Sequence, residues 1–144
     1  MKTNLSSQIT LNRVSPRYYR PENAFERSVL TRLEKIPTNI FETSEEGVVQ
    51  IANEIVAKIQ DRQREGKFCT IAIGTGASLR PLFTELIRKH KDEGVSFRNV
   101  VFFNLYEYYP LVEGAGSSFN HLNKLFLSQI DIDHQNIFTM DGSI

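Results

Sequence analysis

From Thr43 onward the apolar residues fall into blocks of two kinds. Val48, Ile51, Ala52, Ile55, Val56 and Ile59 recur at steps of three and four, the period of a helix with one buried stripe. Thr43 and Glu46 have the spacing of a capping box at its start, and Gly66 ends it. Lys67 to Gly74, KFCTIAIG, is instead continuously apolar, which predicts a strand buried on both faces. A Gly-containing turn, GTGAS, leads into a second helical stripe of Leu79, Leu82, Phe83, Leu86 and Ile87 that stops at Gly94. Asn99 to Asn104 is a second continuous strand. A third helix is predicted from about Ser117 to Gln129, with Phe119, Leu122, Leu125 and Phe126 inward, then a short strand near Asn136 to Thr139. Ahead of Thr43, the residues Phe25, Val29, Leu30, Leu33 and Ile36 also fall at helical spacing, and Pro37 closes that segment. IPTNIFET reads as a short strand or an extended link, and residues 1–21 carry no period, as in a polar arm or disordered tail.

Helices alternating with continuous apolar strands give an α/β fold, a Rossmann-like parallel sheet with helices on both faces and right-handed crossovers. The domain is expected to span 22–144, behind the arm at 1–21. A parallel sheet of about three strands is small. The expectation is a truncated part of a larger domain, or a chain that borrows strands from a partner. Exposed sheet edges leave a homo-oligomer open.

Composition narrows the function classes. The chain has 144 residues, enough for one real core. Lys plus Arg balance Asp plus Glu at 17 each, so no long-range field draws in nucleic acid or an anionic membrane. No apolar run approaches the roughly 20 residues of a membrane span. MKTNLSSQITLNR has no apolar core of a secretory signal, which makes the cytoplasm the expected location. The single cysteine, Cys69, sits inside the apolar run FCTIAI and reads as a packed thiol. His90, His121 and His134 have no metal-ligand spacing, and Asp131, Asp133 and Asp141 have no EF-hand spacing.

In open parallel sheets ligands bind beyond the carboxyl ends of the strands. At the first such end, Gly74 and Gly76 let the backbone come close to a ligand, and Thr75 and Ser78 add hydroxyls before a helix N-terminus. That is the chemistry of an anion or phosphate site. It is not a P-loop, since no Gly-Lys-Ser/Thr follows, and Leu79 stands where a dinucleotide fingerprint needs glycine. Arg80 either supports a phosphate or is solvated. At the second end, Asn104 is followed by Tyr106, Glu107, Tyr108 and Tyr109. Alternation would put Tyr106 and Tyr108 on one side and Glu107 on the other if the strand continues. Glu107 reads as a proton carrier, a ligand for sugar hydroxyls, or a structural carboxylate accepting N–H groups. Tyrosine, with an ordinary pKa of about 10, is a poor base.

Together the two loops resemble the glucosamine-6-phosphate deaminases, which share a superfamily with 6-phosphogluconolactonases. The family runs from a strand into Thr-Gly-Ser-Thr-Pro and a helix. It continues with Val-Ser-Phe-(Lys/Arg)-x-Val-Val-x-Phe-Asn, then Asp-Glu-Tyr, then Asp-Ile-x-x-x-Asn-Ile. Here those segments read GTGASLRPLF, VSFRNVVFFN, YEY and DIDHQNIF, in order over about 75 residues from Phe68 to Ile144. IFETSEEGVVQIANEIV also fits the family's first β–α unit.

The resemblance implies ring opening of glucosamine 6-phosphate, proton transfer between C2 and C1, and release of ammonia and fructose 6-phosphate, with no cofactor. It places Gly74, Thr75, Gly76, Ala77 and Ser78 against the sugar phosphate, with Asn104 and Tyr108 beside it. Tyr106 and Glu107 fall in the catalytic segment. Two departures stand out. The family's loop Ser is Ala77 and its base Asp is Tyr106, with the neighbouring Glu kept as Glu107. The Asp-Gly-His segment that carries the family's ring-opening histidine has no counterpart in 1–144. The expectation is the N-terminal portion of a deaminase-like protein, inactive alone. The alternatives are a non-catalytic sugar-phosphate sensor or a lactonase-like hydrolase.

Overall fold

The computed structural model describes residues 21–33, 36, 38–111 and 116–143. The chain divides into two compact units, Met1–Glu42 and Thr43–Ile144. In the first, Asn23 caps helix α1, Ala24–Thr31, its side chain accepting from the Glu26 amide at 2.9 Å. The helix ends before Leu33 and Ile36, which are exposed, and it buries none of its residues. A helix this short gains little from its own hydrogen bonds, so the periodic stripe alone does not extend it. The segment before Thr43 is a link and not a strand over its described residues. The arm expected at 1–21, apart from Pro21, and the stop at Pro37 lie outside the described residues.

The second unit follows the sequence pattern closely. Thr43 caps α2, Ser44–Arg64, through its hydroxyl oxygen, which accepts from the Glu46 amide at 3.2 Å. Strand β1 is Cys69–Ile73. A single 3-10 turn, Ala77–Leu79, runs into α3, Arg80–Glu93, which stops at Gly94 with φ of 71°. Only glycine takes that backbone conformation without penalty. Strand β2 is Val100–Asn104, α4 is Ser118–Leu125, and β3 is the two-residue Ile137–Phe138. The third helix is shorter than its stripe because the chain tightens into a 3-10 turn at Leu127–Gln129.

The three strands are parallel in the order β1-β2-β3, with Cys69 opposite Val100, Ile73 opposite Asn104 and Phe102 opposite Ile137. One face carries the core. Ala52, Val56 and Ile59 of α2, Leu82, Phe83 and Leu86 of α3, and Leu122 of α4 close over Val100 and Phe102. Phe126 stacks on Phe83 at 5.0 Å between ring centres and meets Phe97 edge-on at 6.0 Å. Cys69 is buried here, and burial pushes its thiol pKa up, as suits a packed and unreactive group.

The expectation of strands buried on both faces is corrected. Thr70, Ala72, Phe103 and Phe138 are exposed, so β1 and β2 alternate, and the described helices of this unit cover one face only. On the open face Phe103 and Phe138 stack with ring centres 5.0 Å apart. The strand order supplies the reason. Crossovers of one hand that always step the same way across a sheet land on the same side, and a second layer needs the chain to reverse direction.

Asp131 ties the approach to β2 to the approach to β3. Its carboxylate accepts from the Phe97 amide at 2.6 Å and the Ser96 hydroxyl at 2.8 Å. Nearby, His90 Nδ1 bonds the Val95 carbonyl at 2.6 Å, a structural role.

Candidate functional site

Because β1 and β2 are parallel neighbours, their carboxyl ends open on the same side, and the two loops singled out in the sequence meet there. Ile73 is the last residue of β1, and its carbonyl still accepts from the Leu105 amide at 3.3 Å, one step past the end of β2. Gly74 is buried, while Gly76, Ala77 and Ser78 are exposed along the turn into α3. Arg80 is also exposed, at the start of that helix.

Tyr106 crosses to this turn. Its hydroxyl oxygen accepts from the Thr75 amide at 3.1 Å, lies 3.0 Å from the Thr75 hydroxyl, and donates to the Thr75 carbonyl. The ring passes over Gly74 so closely that a Cβ there would sit 2.4 Å from Tyr106 Cε1. Any side chain at 74 would force the tyrosine ring to move. At Gly76 an added Cβ would meet only the Ser78 hydroxyl, at 3.8 Å, and φ is an ordinary extended −170°. The Thr75 hydroxyl continues to Ser118 at 2.8 Å, which completes a hydroxyl chain from Tyr106 through Thr75 to the start of α4.

Glu107 turns the other way. One carboxylate oxygen accepts from the amides of Tyr108 at 2.9 Å and Ser118 at 2.7 Å. The other accepts from the Ser117 hydroxyl at 2.6 Å and the Phe119 amide at 3.0 Å. Ser117 in turn caps α4 by accepting from the Asn120 amide at 3.1 Å. Glu107 is thus the anion at the N-terminus of α4, where unpaired amides and the helix dipole favour negative charge. Burial pushes its carboxyl pKa up, but the Ser117 hydroxyl and the amides of Phe119, Tyr108 and Ser118 outweigh that and bring it down to about 2. A carboxylate with this pKa and four donors is a poor proton acceptor at neutral pH. Of the three roles open to Glu107 in the sequence, the geometry matches the structural one.

The strand ends at Asn104, so the condition for alternation through Tyr108 is not met, although Tyr106 and Glu107 turn opposite ways. Tyr108 is 61% exposed and contributes its backbone more than its ring. Asn104 is buried. Its amide nitrogen donates to the Tyr106 carbonyl at 2.7 Å, while its Oδ1 is a buried acceptor with no hydrogen-bond partner among the described residues. Three further residues join the site. Ser117 and Ser118 were legible only as a helix start, and Ser-Ser before an apolar stripe is a cap signature. Gly142 packs so tightly that a Cβ would lie 2.3 Å from the Tyr108 carbonyl oxygen, and its own carbonyl accepts from the Leu111 amide at 2.7 Å. Among the described residues no three His, Cys, Asp or Glu side chains are grouped to hold a metal ion. No described helix is long and apolar enough to cross a membrane.

Comparison with known proteins identifies the family. The family described as glucosamine-6-phosphate isomerases/6-phosphogluconolactonase matches residues 42–144. A protein of Bacteroides thetaiotaomicron named as glucosamine-6-phosphate deaminase-like is 63% identical over all of this chain, which covers 22% of that relative. A glucosamine-6-phosphate isomerase of Candida albicans is 33% identical over 72% of this chain and 41% of its own length. A solved monomeric glucosamine-6-phosphate deaminase of the NagB superfamily superposes with a TM-score of 0.65 at 26% identity, over 72% of this chain and 42% of that one. The chain therefore spans less than half the length of these relatives. With the family's model matched over 42–144, most of its length, the chain belongs to the glucosamine-6-phosphate isomerase/6-phosphogluconolactonase family.

Proposed function

We propose that this chain is the phosphate-loop portion of a deaminase-type site for an amino-sugar phosphate, with glucosamine 6-phosphate as the substrate. The observation that carries the reading is the meeting of the two loops. The loop at Gly74–Ser78 and the segment at Asn104–Tyr108 are joined through Tyr106 and Thr75 at the carboxyl ends of adjacent parallel strands. The 6-phosphate would sit against the 74–78 turn, and the sugar would extend toward Asn104 and Tyr106. No cofactor takes part.

A second reading rests on Glu107. With its oxygens engaged by four donors, it does not replace the aspartate that the resemblance puts at Tyr106. A site without that base would bind the sugar phosphate and report it without deaminating it. The two readings separate in one experiment. Glucosamine 6-phosphate is titrated calorimetrically into the full-length parent protein, and ammonia and fructose 6-phosphate are assayed in parallel. Saturable binding with turnover supports the enzyme. Saturable binding without turnover, with turnover gained in Tyr106→Asp, supports the sensor. Absence of binding overturns both.

A further inference from the structure

We infer that Tyr106 controls access to the anion loop: its phenol occupies the groups of Thr75 that a phosphate monoester would use, and it must swing away before the ligand binds. This deepens the function proposed above and rests on it. The phenol oxygen takes the Thr75 amide at 3.1 Å and approaches the Thr75 hydroxyl at 3.0 Å. Those are donors of the kind a phosphate oxygen accepts. The same phenol donates to the Thr75 carbonyl, which a fully ionised phosphate cannot do, so the contact closes the loop on itself and does not copy a bound ligand. The ring also covers Gly74, the point at which the backbone would otherwise lie open.

The surroundings restrict how this contact opens. The Tyr106 carbonyl is held by Asn104 Nδ2 at 2.7 Å, and the next residue is held through the Glu107 carboxylate. With the backbone fixed on both sides, the available motion is rotation of the tyrosine side chain. Tyr106 is 40% exposed, so rotation moves it toward solvent and leaves the core intact. Thr75 keeps Ser118 as a partner at 2.8 Å, which holds its hydroxyl near the loop when the phenol leaves. A binding-competent state that is only partly populated lowers the apparent affinity by that fraction.

The test is inorganic phosphate titrated into the wild type, Tyr106→Phe and Tyr106→Ala, read by calorimetry. Tyr106→Phe keeps the ring over Gly74 and removes only the hydroxyl. It is expected to bind phosphate about tenfold more tightly, the equivalent of one to two net hydrogen bonds no longer competing. Tyr106→Ala is expected to bind at least as tightly. In the wild type, nuclear magnetic resonance should show the Tyr106 ring and Thr75 amide signals shifting together as phosphate is added. This readout does not depend on how a variant folds. Equal affinity in wild type and Tyr106→Phe would overturn the inference and leave the anion site standing. Weaker binding in Tyr106→Phe would make the phenol a ligand for the anion and also overturn it. No phosphate binding in any form would remove the anion site itself, and the inference with it.

Discussion

Tyr106 and Glu107 are adjacent in the chain, and each fastens the end of β2 to a different part of the molecule. Tyr106 reaches back to the loop after β1 through a neutral phenol and a half-exposed ring. Glu107 reaches forward to the start of α4 through a carboxylate that fills both oxygens. The first tie can be released at the cost of a few ordinary hydrogen bonds. The second cannot be released without stranding a negative charge and the amides of a helix N-terminus. Neighbouring polar residues at a strand end therefore divide the work: one braces the scaffold, and the other is free to answer a ligand.

The comparison breaks most visibly if Glu107 proves dispensable. Glu107→Gln removes the charge and turns a donor toward donors, and it is expected to cost about 3 kcal/mol of unfolding free energy in a urea titration. An unchanged midpoint would mean that Glu107 is not the brace. Acid reads the same tie. The folded carboxyl lies at about 2 against an ordinary 4.5, so its contribution is complete above 4.5 and is lost as the pH falls toward 2. That loss should be absent in Glu107→Gln and kept in Tyr106→Phe, as followed by circular dichroism. Smaller effects separate the two loop glycines. Gly74→Ala drives a Cβ into the Tyr106 ring, and the ring must move, for a cost of about 1–2 kcal/mol. Gly76→Ala meets nothing closer than 3.8 Å and should stay within about 0.5 kcal/mol of wild type. Equal melting temperatures for the two variants would show that the ring does not rest on Gly74.

The sequence disclosed α2, α3, β1 and β2 because each carries an unbroken pattern with its own stop, at Gly66, Gly94, Gly74 and Asn104. It misjudged the open face of the sheet. Ala72, Val101 and Phe103 are apolar on that face as well, so the letters look the same whether or not a layer covers them. The role of Glu107 was hidden for a different reason. Its partners, Ser117 to Phe119, stand ten to twelve positions later, and no local rule brings a carboxylate to the start of the following helix. The Tyr106–Thr75 contact spans 31 positions and depends on β1 and β2 being neighbours in register.

The strand order also bears on how the unit folds. Each described strand after β1 pairs with the one made just before it, Cys69 with Val100 and then Phe102 with Ile137, so the described sheet is paired in chain order. Chains that close short loops first fold faster than chains that join remote segments. Growth from β1 outward adds one strand and one helix at a time, and each step builds on a pair already formed.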